Sequence, residues 1–158
     1  WGIRKFHRAV AGGAERHDSV SAGLAALPEE TGLVAIHDGV RPLLTLDVIA
    51  RCVAAAEAHG AAIAAVPPRD TVKRIDGDRV AETIDRRRLI LVQTPQVFRK
   101  DLIQSAYRKA YESGDFSTDD AALVEATGHP VQVVMGDYRN IKITSHEDLV
   151  FVQAFLEP

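Results

Sequence analysis

The chain has 158 residues, and its 19 lysines and arginines against 22 aspartates and glutamates give a net charge of −3. This length favours one domain, and so balanced a charge argues against a general nucleic-acid or membrane-surface binder. Cys52 is the single cysteine, which excludes a disulfide within the chain and favours the reducing cytoplasm. No apolar run reaches the length of a membrane span. Because the chain starts at Trp1, we expect it to be part of a longer protein.

Up to Val66, the chain alternates between short apolar runs and amphipathic segments. Val20, Leu24 and Leu27 share one stripe, which is typical of a helix. The run 33–37 does not alternate, which predicts a strand buried on both faces. The predicted elements are a strand at 8–11, a helix at 16–26, a strand at 33–37, a helix at 46–58 and a strand at 61–66.

The predicted helix at 46–58 has a clear start and end. Thr45 is suited to cap it, and His59-Gly60 to end it. Cys52 lies within it and is expected to be a small core residue. The predicted apolar face is formed by Leu46, Ile49, Val53 and Ala56.

Residues 67–93 carry no helical stripe, and we interpret them as an arm that projects from the core. Asp76-Gly77 separates two β-compatible runs, which predicts a hairpin. No aromatic residue interleaves the arm's basic side chains, which favours a solvated or intersubunit role over nucleic-acid binding. These basic side chains are Arg69, Lys73, Arg74, Arg79 and Arg86-Arg87-Arg88.

After the arm, helices and strands alternate again. The predicted elements are a helix at 99–113 ended by Gly114, a helix from a capping box at 117–120 to near Gly128, strands at 131–135 and 140–144, and a last helix capped by 145–148. The last helix carries Leu149, Val152 and Leu156. This order predicts a parallel sheet with helices on both faces.

Ligands of such sheets bind beyond the carboxyl ends of the strands, so the residues that follow each strand are candidates. Gly12-Gly13 permits close backbone approach to a ligand, although the spacing alone favours a plain strand-to-helix turn. Asp38 could hold a metal or a sugar hydroxyl, and Arg41 could bind a phosphate through its planar fork. A simple turn that leads into a helix explains Asp38 and Arg41 equally well.

Two further candidates follow the arm. Thr94, in Thr94-Pro95-Gln96, is expected just before a helix, where a hydroxyl either donates to a phosphate or simply caps the helix. Lys142 lies between apolar neighbours on a predicted strand, so it either extends outward or points into a cleft. The sequence contains no dinucleotide fingerprint, Walker loop or nucleophile elbow, and its histidines lack zinc spacing.

Six segments support a more specific prediction, namely "AGGAERHDSV", "AIHDGVRP", "PPRDTVKR", "ETIDRRRLILVQTPQVF", "STDDAALVEATG" and "GDYRNIKITSHEDL". In this order they resemble the 2-C-methyl-D-erythritol 4-phosphate cytidylyltransferases of the non-mevalonate isoprenoid pathway, from about Arg8 to about Phe155. The resemblance implies an α/β, Rossmann-like nucleotidyltransferase fold in three α/β/α layers. It makes 1–158 the C-terminal portion of one nucleotidyltransferase domain, with a dimer-forming β-arm at about 67–93.

The same resemblance implies an enzyme that joins CTP and methylerythritol phosphate and releases pyrophosphate. It implies a divalent cation, usually Mg²⁺, held mainly by the CTP phosphates, with no metal ligand assigned to the chain itself. The implied partners are the two substrates and a second copy of the chain, with no nucleic acid and no membrane. The implied location is the cytoplasm.

The resemblance assigns the nucleotide and sugar sides to two segments. Gly13, Ala14 and Ser19 match the segment that holds the cytosine and ribose. Family members often have Asp where this chain has Ala14, so only a backbone contact is expected there. Asp38, Gly39 and Arg41 match the segment that meets the sugar phosphate and the ribose.

The phosphate side is assigned to residues far apart in sequence. Thr94 and Lys142 match positions at the phosphates, with Lys142 nearest the α-phosphate. Thr71 and Arg86 match arm residues that reach the neighbouring subunit's site. Lys142 and Arg86 are therefore the expected catalytic cations.

Other interpretations of the sequence stay open. A ribitol 5-phosphate cytidylyltransferase would share the nucleotide half, and a nucleotide-binding or dimerisation module would share the fold without the activity. A second enzyme following Pro158 is a further alternative. The glycine-rich loop and lysine with which the family begins would lie upstream of Trp1, so we expect the 158-residue piece alone to bind CTP poorly and to turn over little.

Overall fold

The structure, a computed structural model, describes residues 5–156. In this part of the chain the helices are α1 Arg16–Ala25, α2 Leu46–His59, α3 Lys100–Ser113, α4 Asp120–Glu125 and α5 His146–Leu156. The strands are β1 Leu33–Ile36, β2 Ala61–Val66, β3 Val72–Asp76, β4 Arg79–Ile84, β5 Leu91–Arg99 and β6 Gln132–Met135. A single 3₁₀ turn, Arg86–Arg88, lies between β4 and β5.

Four strands form the main sheet in the order β1-β5-β2-β6. β2 and β6 are parallel, but β5 runs antiparallel to both β1 and β2. The predicted all-parallel sheet is therefore wrong at β5. The reason is the arm: Val66, the last residue of β2, pairs with Leu91, the first of β5, so the chain re-enters the sheet where it left it. An antiparallel neighbour needs no crossover helix.

Helices cover both faces of this sheet, as predicted. Successive side chains of a strand point to opposite faces, and Ala62 and Ile63 accordingly belong to separate core clusters. Ile63 packs in the cluster that contains residues of α1, α3 and α4, whereas Ala62 packs with α2. The predicted three-layer α/β/α fold is confirmed.

Two predicted strands are wrong. Residues 8–11 are exposed and form no strand within the described part of the chain. Residues 140–144 form none either, because their backbone makes other bonds: the Ile143 N–H donates to the Val40 carbonyl at 2.9 Å. The predicted burial of 33–37 on both faces also fails, since Ala35 is exposed on β1, which pairs only with β5 in the described residues.

The helices mostly start and end as predicted, with corrections to their faces. The Thr45 side chain accepts from the Val48 N–H, and left-handed Gly60 ends α2. The buried face of α2 is Val48, Cys52 and Ala56, however, whereas Leu46 is 85% exposed. The three buried residues follow an i, i+4 spacing, which sets the face that meets the sheet.

The later caps are corrected in part. α4 is capped by the Asp119 side chain, which accepts from the Ala122 N–H at 3.1 Å, and Ser117 plays no such part. The predicted cap of α5 is confirmed, because the Asp148 N–H donates to the Ser145 Oγ at 3.3 Å. Of the three apolar residues predicted for α5, only Val152 is buried. No helix within residues 5–156 has both the length and the apolar character needed to cross a membrane.

The predicted hairpin forms an antiparallel β3–β4 ribbon apart from the main sheet. Gly77 has a φ of +55°, which suits glycine at the turn. The arm ends earlier than the predicted residue 93, because β5 begins at Leu91. For the same reason Thr94-Pro95-Gln96 lies in mid-strand and not just ahead of a helix.

Candidate functional site

A cavity of about 530 Å³ opens where β1 ends beside β5. Its lining includes Asp38 and Arg41, which follow β1, and Thr94, which lies in β5. Lys142 reaches the same cavity from the segment between β6 and α5. Four of the predicted site residues thus meet at one place, although their roles stay predictions.

Asp38 is the centre of charge in this cavity. Its Oδ2 lies 3.2 Å from Arg41 Nε and 3.3 Å from Lys142 Nζ, and its Oδ1 lies 3.9 Å from Arg16 Nε. Burial alone would raise the pKa of the Asp38 carboxyl, but the Lys142 ammonium and the Arg41 guanidinium together hold that pKa below its ordinary value. The carboxylate therefore stays ionised and draws three cations toward one point.

Thr94 joins the end of β1 to β5. Its Oγ1 accepts from the Asp38 N–H at 3.0 Å and lies 2.9 Å from His37 Nδ1. The hydroxyl thus fixes the backbone that carries Asp38. Because β5 is antiparallel to β1, a residue in the middle of β5 is opposite the end of β1.

Asn140 holds the segment that carries Lys142. Its Nδ2 donates to the Thr94 backbone carbonyl at 2.8 Å and to Gln93 Oε1 at 3.3 Å. The backbone carbonyl of Asn140 accepts from Arg41 Nη1 at 2.8 Å. The residue is fully buried. Among the described residues, its Oδ1 has no hydrogen-bond partner. An unpaired buried acceptor costs about 1–3 kcal/mol of stability.

Arg16 reaches the cavity from the start of α1, and its guanidinium is anchored by Asp120. Its guanidinium grips the Asp120 carboxylate with two hydrogen bonds, of 3.1 and 2.6 Å, and Asp120 is fully buried. The Tyr107 hydroxyl donates to Asp120 Oδ1 at 2.5 Å. The hydrogen bond with Asp120 raises the pKa of Arg16. Burial, assisted by Asp120, raises the pKa of Tyr107, so the phenol keeps its proton.

Residues at the start of α4 form another part of the cavity wall. Gln96 Nε2 donates to Asp119 Oδ2 at 2.8 Å, and the Ala121 N–H donates to Gln96 Oε1 at 3.0 Å. Gln96 is thereby satisfied although it is almost completely buried in β5. Thr118 and Asp119 line the cavity beside it.

The other predicted residues lie outside this cavity. In the turn before α1, the Gly13 N–H donates to Ser19 Oγ at 3.1 Å, and a Cβ at Gly13 would lie 2.2 Å from that of Asp18. Gly13, Ala14 and Ser19 are all exposed, as is Gly39 beside Asp38. A glycine is required at position 13 for space alone.

The two predicted arm residues also stand apart. Thr71 and Arg86 are exposed and do not line the cavity of their own chain. The Arg86 guanidinium donates to the Arg69 carbonyl. The arm's base is fixed separately, since Arg69 lies over the Tyr138 ring, 3.7 Å from its centre.

Sequence reasoning missed the residues that support the cavity. Arg16, Gln93, Asn140 and Tyr107 received no role, and Asp120 was interpreted only as part of a cap. One signal was available for Asp120: a carboxylate that begins the otherwise apolar run Ala121 to Val124 is expected to be buried with a partner. Nothing local pointed to Arg16 as that partner, because 104 residues separate the two.

Within residues 5–156, no three His, Cys, Asp or Glu side chains come close enough together to hold a metal ion. Asp38 Oδ2, the oxygen nearest the cavity's centre of charge, already faces Arg41 and Lys142. These donors suit a phosphate better than a cation.

A cavity that gathers arginine, lysine and a hydroxyl at the strand ends of an α/β sheet defines a class of protein, the enzymes that act on phosphorylated substrates. Comparison with known families narrows this class. Residues 4–158 match the family IspD, 2-C-methyl-D-erythritol 4-phosphate cytidylyltransferase. The chain belongs to this family, and the prediction made from the six segments is confirmed.

Individual relatives agree with the family match. The chain is 52% identical over 157 residues to the 2-C-methyl-D-erythritol 4-phosphate cytidylyltransferase of Pelotomaculum thermopropionicum, covering 99% of this chain and 66% of the relative. It is 49% identical over 156 residues to that of Syntrophus aciditrophicus, covering 98% and 67%. The crystal structure of 4-diphosphocytidyl-2C-methyl-D-erythritol synthase from Anaerococcus prevotii superposes with a TM-score of 0.90 at 40% identity, covering 96% and 68%. The chain thus spans about two thirds of the length of these relatives.

Proposed function

We propose that the complete protein transfers CMP from CTP to 2-C-methyl-D-erythritol 4-phosphate and releases pyrophosphate. The observation that carries this proposal is the meeting of Arg41, Thr94 and Lys142 around Asp38 in a chain of this family. An oxygen of the sugar phosphate attacks the α-phosphorus of CTP and forms a new P–O bond. The bond from the α-phosphorus to the bridging oxygen breaks, and its electron pair leaves with pyrophosphate.

This reaction brings two anions together, so positioning and charge neutralisation supply most of the catalysis. Lys142 is the cation that would meet the α-phosphate, and Arg41 would hold the attacking phosphate. Asp38 orients both, since it lies within 3.3 Å of each. When a phosphate enters, its oxygens would compete with Asp38 for these two cations. Thr94 would add a hydroxyl at the phosphates.

The nucleotide is proposed to lie along the turn before α1. Gly13 and Ala14 would offer backbone groups to the base and ribose, and Ser19 a hydroxyl. All three are exposed, and a bound nucleotide would compete with the bond from the Gly13 N–H to Ser19 Oγ. Magnesium, in this proposal, binds mainly through the CTP phosphates and not through the chain's side chains.

A second copy of the chain is proposed to complete the site. Thr71 and Arg86 flank the β3–β4 ribbon, are exposed and do not line the cavity of their own chain, which supports a role for them in a neighbouring subunit's site. Mixing two inactive variants, Arg86→Ala and Lys142→Ala, tests this sharing. If each site combines the cavity of one chain with the arm of the other, every mixed dimer has one intact site of two. About half of the dimers in an equal mixture are mixed, so activity returns to about a quarter of wild type. No recovery on mixing would contradict a shared site.

The cytoplasm is the proposed location, and neither a nucleic acid nor a membrane is a proposed partner. The substrate assignment is tested by pyrophosphate release from CTP by the complete protein. We expect release with methylerythritol phosphate and little with ribitol 5-phosphate. The reverse preference would assign a ribitol phosphate enzyme, and no release with either acceptor would indicate a binding module.

A further inference from the structure

We propose that Asn140 is a positioning residue that holds both phosphate cations of the cavity, Arg41 and Lys142, in place. This inference rests on the proposed function, since it concerns the same cavity. Asn140 does not line the cavity itself. It acts through the residues that do.

The contacts of Asn140 converge on the cavity from behind. The backbone carbonyl of Asn140 accepts from Arg41 Nη1 at 2.8 Å, which fixes one end of that guanidinium. The Asp38 carboxylate accepts from Arg41 Nε at the other end. The side-chain amide of Asn140 donates to the Thr94 carbonyl at 2.8 Å, which ties the segment to β5. Lys142 is two residues further on, so the place of its backbone is set by these same bonds.

Within residues 5–156, the segment around Lys142 pairs with no strand. Apart from the bonds of Asn140, its main tie to the strand ends is the Ile143 N–H, which donates to the Val40 carbonyl at 2.9 Å. Gln93 supports Asn140 from the opposite side, because Gln93 Oε1 accepts from Asn140 Nδ2 and Gln93 Nε2 donates to the Asp137 carbonyl. A single buried amide therefore aligns a loop that regular secondary structure does not.

The Asn140 side chain is buried with both of its amide donors engaged. The residue is fully buried, and in the described part of the chain its Oδ1 accepts no hydrogen bond. Burying an acceptor without a donor is unfavourable. The two donors of the amide lie on the Thr94 carbonyl and on Gln93 Oε1, and these contacts tie the segment to β5.

The test is a double-mutant cycle in the complete protein, with Asn140→Leu in wild-type and Lys142→Ala backgrounds. Asn140→Leu keeps the branched shape and the number of heavy atoms of the side chain but removes the donors, and misplacement of Lys142 is expected to lower kcat/KM by about 10- to 100-fold. In the Lys142→Ala background the same change is expected to cost less than about threefold, because residues that act as one unit are not additive. Equal factors in both backgrounds would overturn the proposal.

A second readout does not depend on activity. Hydrogen exchange of the Ile143 amide is expected to speed up in Asn140→Leu. The substitution does not remove the bond from this amide to the Val40 carbonyl, but the loop loses its anchor and that bond opens more often. Asn140→Ser, whose hydroxyl retains one donor, is the milder variant should Asn140→Leu unfold. Its effects on exchange and on kcat/KM are expected to lie between those of wild type and Asn140→Leu. Unchanged exchange in both variants would also overturn the proposal.

The matched control is Cys52→Ala, which removes a fully buried core atom on α2 that does not line the cavity. It is expected to lower the melting temperature while leaving kcat/KM and the relative exchange of Ile143 unchanged. Wild-type inactivity with every substrate would refute the proposed function, and Ile143 exchange would still decide the role of Asn140.

Discussion

The Lys142 ammonium lies 3.3 Å from the Asp38 carboxylate, although the two residues are far apart in sequence. Lys142 stands on a loop and Asp38 just beyond β1, so their contact depends on the folded sheet. The carboxylate balances part of the positive charge of the cavity. A substrate phosphate would take over that balance.

Lys142→Ala is expected to reduce kcat/KM by about 30- to 1,000-fold. This corresponds to about 2–4 kcal/mol of lost transition-state stabilisation, the range for a lost charge-stabilising donor. Initial rates of pyrophosphate release measure the effect. Lys109→Ala, an exposed lysine on α3 outside the cavity, is the control and should retain wild-type rates. Equal rates for both variants would exclude Lys142 from the chemistry.

Asp38 is expected to contribute stability that disappears in acid. Its folded-state pKa is lowered, so its contribution is present above the unfolded pKa of about 3.9 and is lost as pH falls through the folded value. The unfolding free energy of Asp38→Asn should therefore lie below that of wild type at pH 7 and converge with it toward pH 2. Denaturant titrations across this range provide the measurement.

The control for Asp38 is Asp78→Asn, in the hairpin turn, because no ion pair among the described residues includes Asp78. Its difference from wild type should be small at every pH. A constant gap between Asp38→Asn and wild type from pH 7 to pH 2 would contradict the ion-pair explanation.

Tyr107→Phe is expected to destabilise the protein by about 1–3 kcal/mol, the penalty for leaving a buried polar group without one of its partners. The lost bond is the one from the Tyr107 hydroxyl to the buried Asp120. Tyr111→Phe, which loses a bond to Asp18 at the surface, should change stability by less than about 0.5 kcal/mol. Urea unfolding of both variants measures the change in the free energy of unfolding. Equal decreases for the two variants would contradict a larger contribution from the buried hydrogen bond to Asp120.

Gly39→Ala separates folding from binding. Among the described residues, no atom lies within 4 Å of a Cβ built at Gly39, and its φ is not positive, so folding does not require glycine there. We expect wild-type stability together with a raised KM for the sugar phosphate, because the family resemblance assigns Gly39 to the segment that meets this substrate. An unchanged KM would remove Gly39 from the binding site.

Local patterns were sufficient for the elements whose signals lie close together in sequence. The Thr45 cap, the Gly60 end of α2 and the Asp76-Gly77 turn were all readable, since caps and turns depend on a few adjacent residues. β5 was missed because Leu91–Arg99 contains Pro95 and two glutamines. Gln96 is buried there only because Asp119 and the Ala121 N–H, which are distant in sequence, satisfy it.

The residues of the candidate site likewise divide into those that local sequence patterns indicated and those that they did not. Asp38, Arg41 and Thr94 stood out as charged or hydroxyl side chains near apolar runs, and the family resemblance placed Lys142 beside them. The supporting residues Arg16 and Asn140 could not be found, because each acts through partners across the fold. A polar side chain shows its role only when its partners are known.

The most direct test is a structure of the complete protein with bound methylerythritol phosphate. We predict that the phosphate oxygens lie within hydrogen-bonding distance of the Arg41 guanidinium and the Lys142 ammonium, in the cavity beside Asp38. A sugar phosphate bound elsewhere, with these two cations still held only by Asp38, would contradict the proposed site.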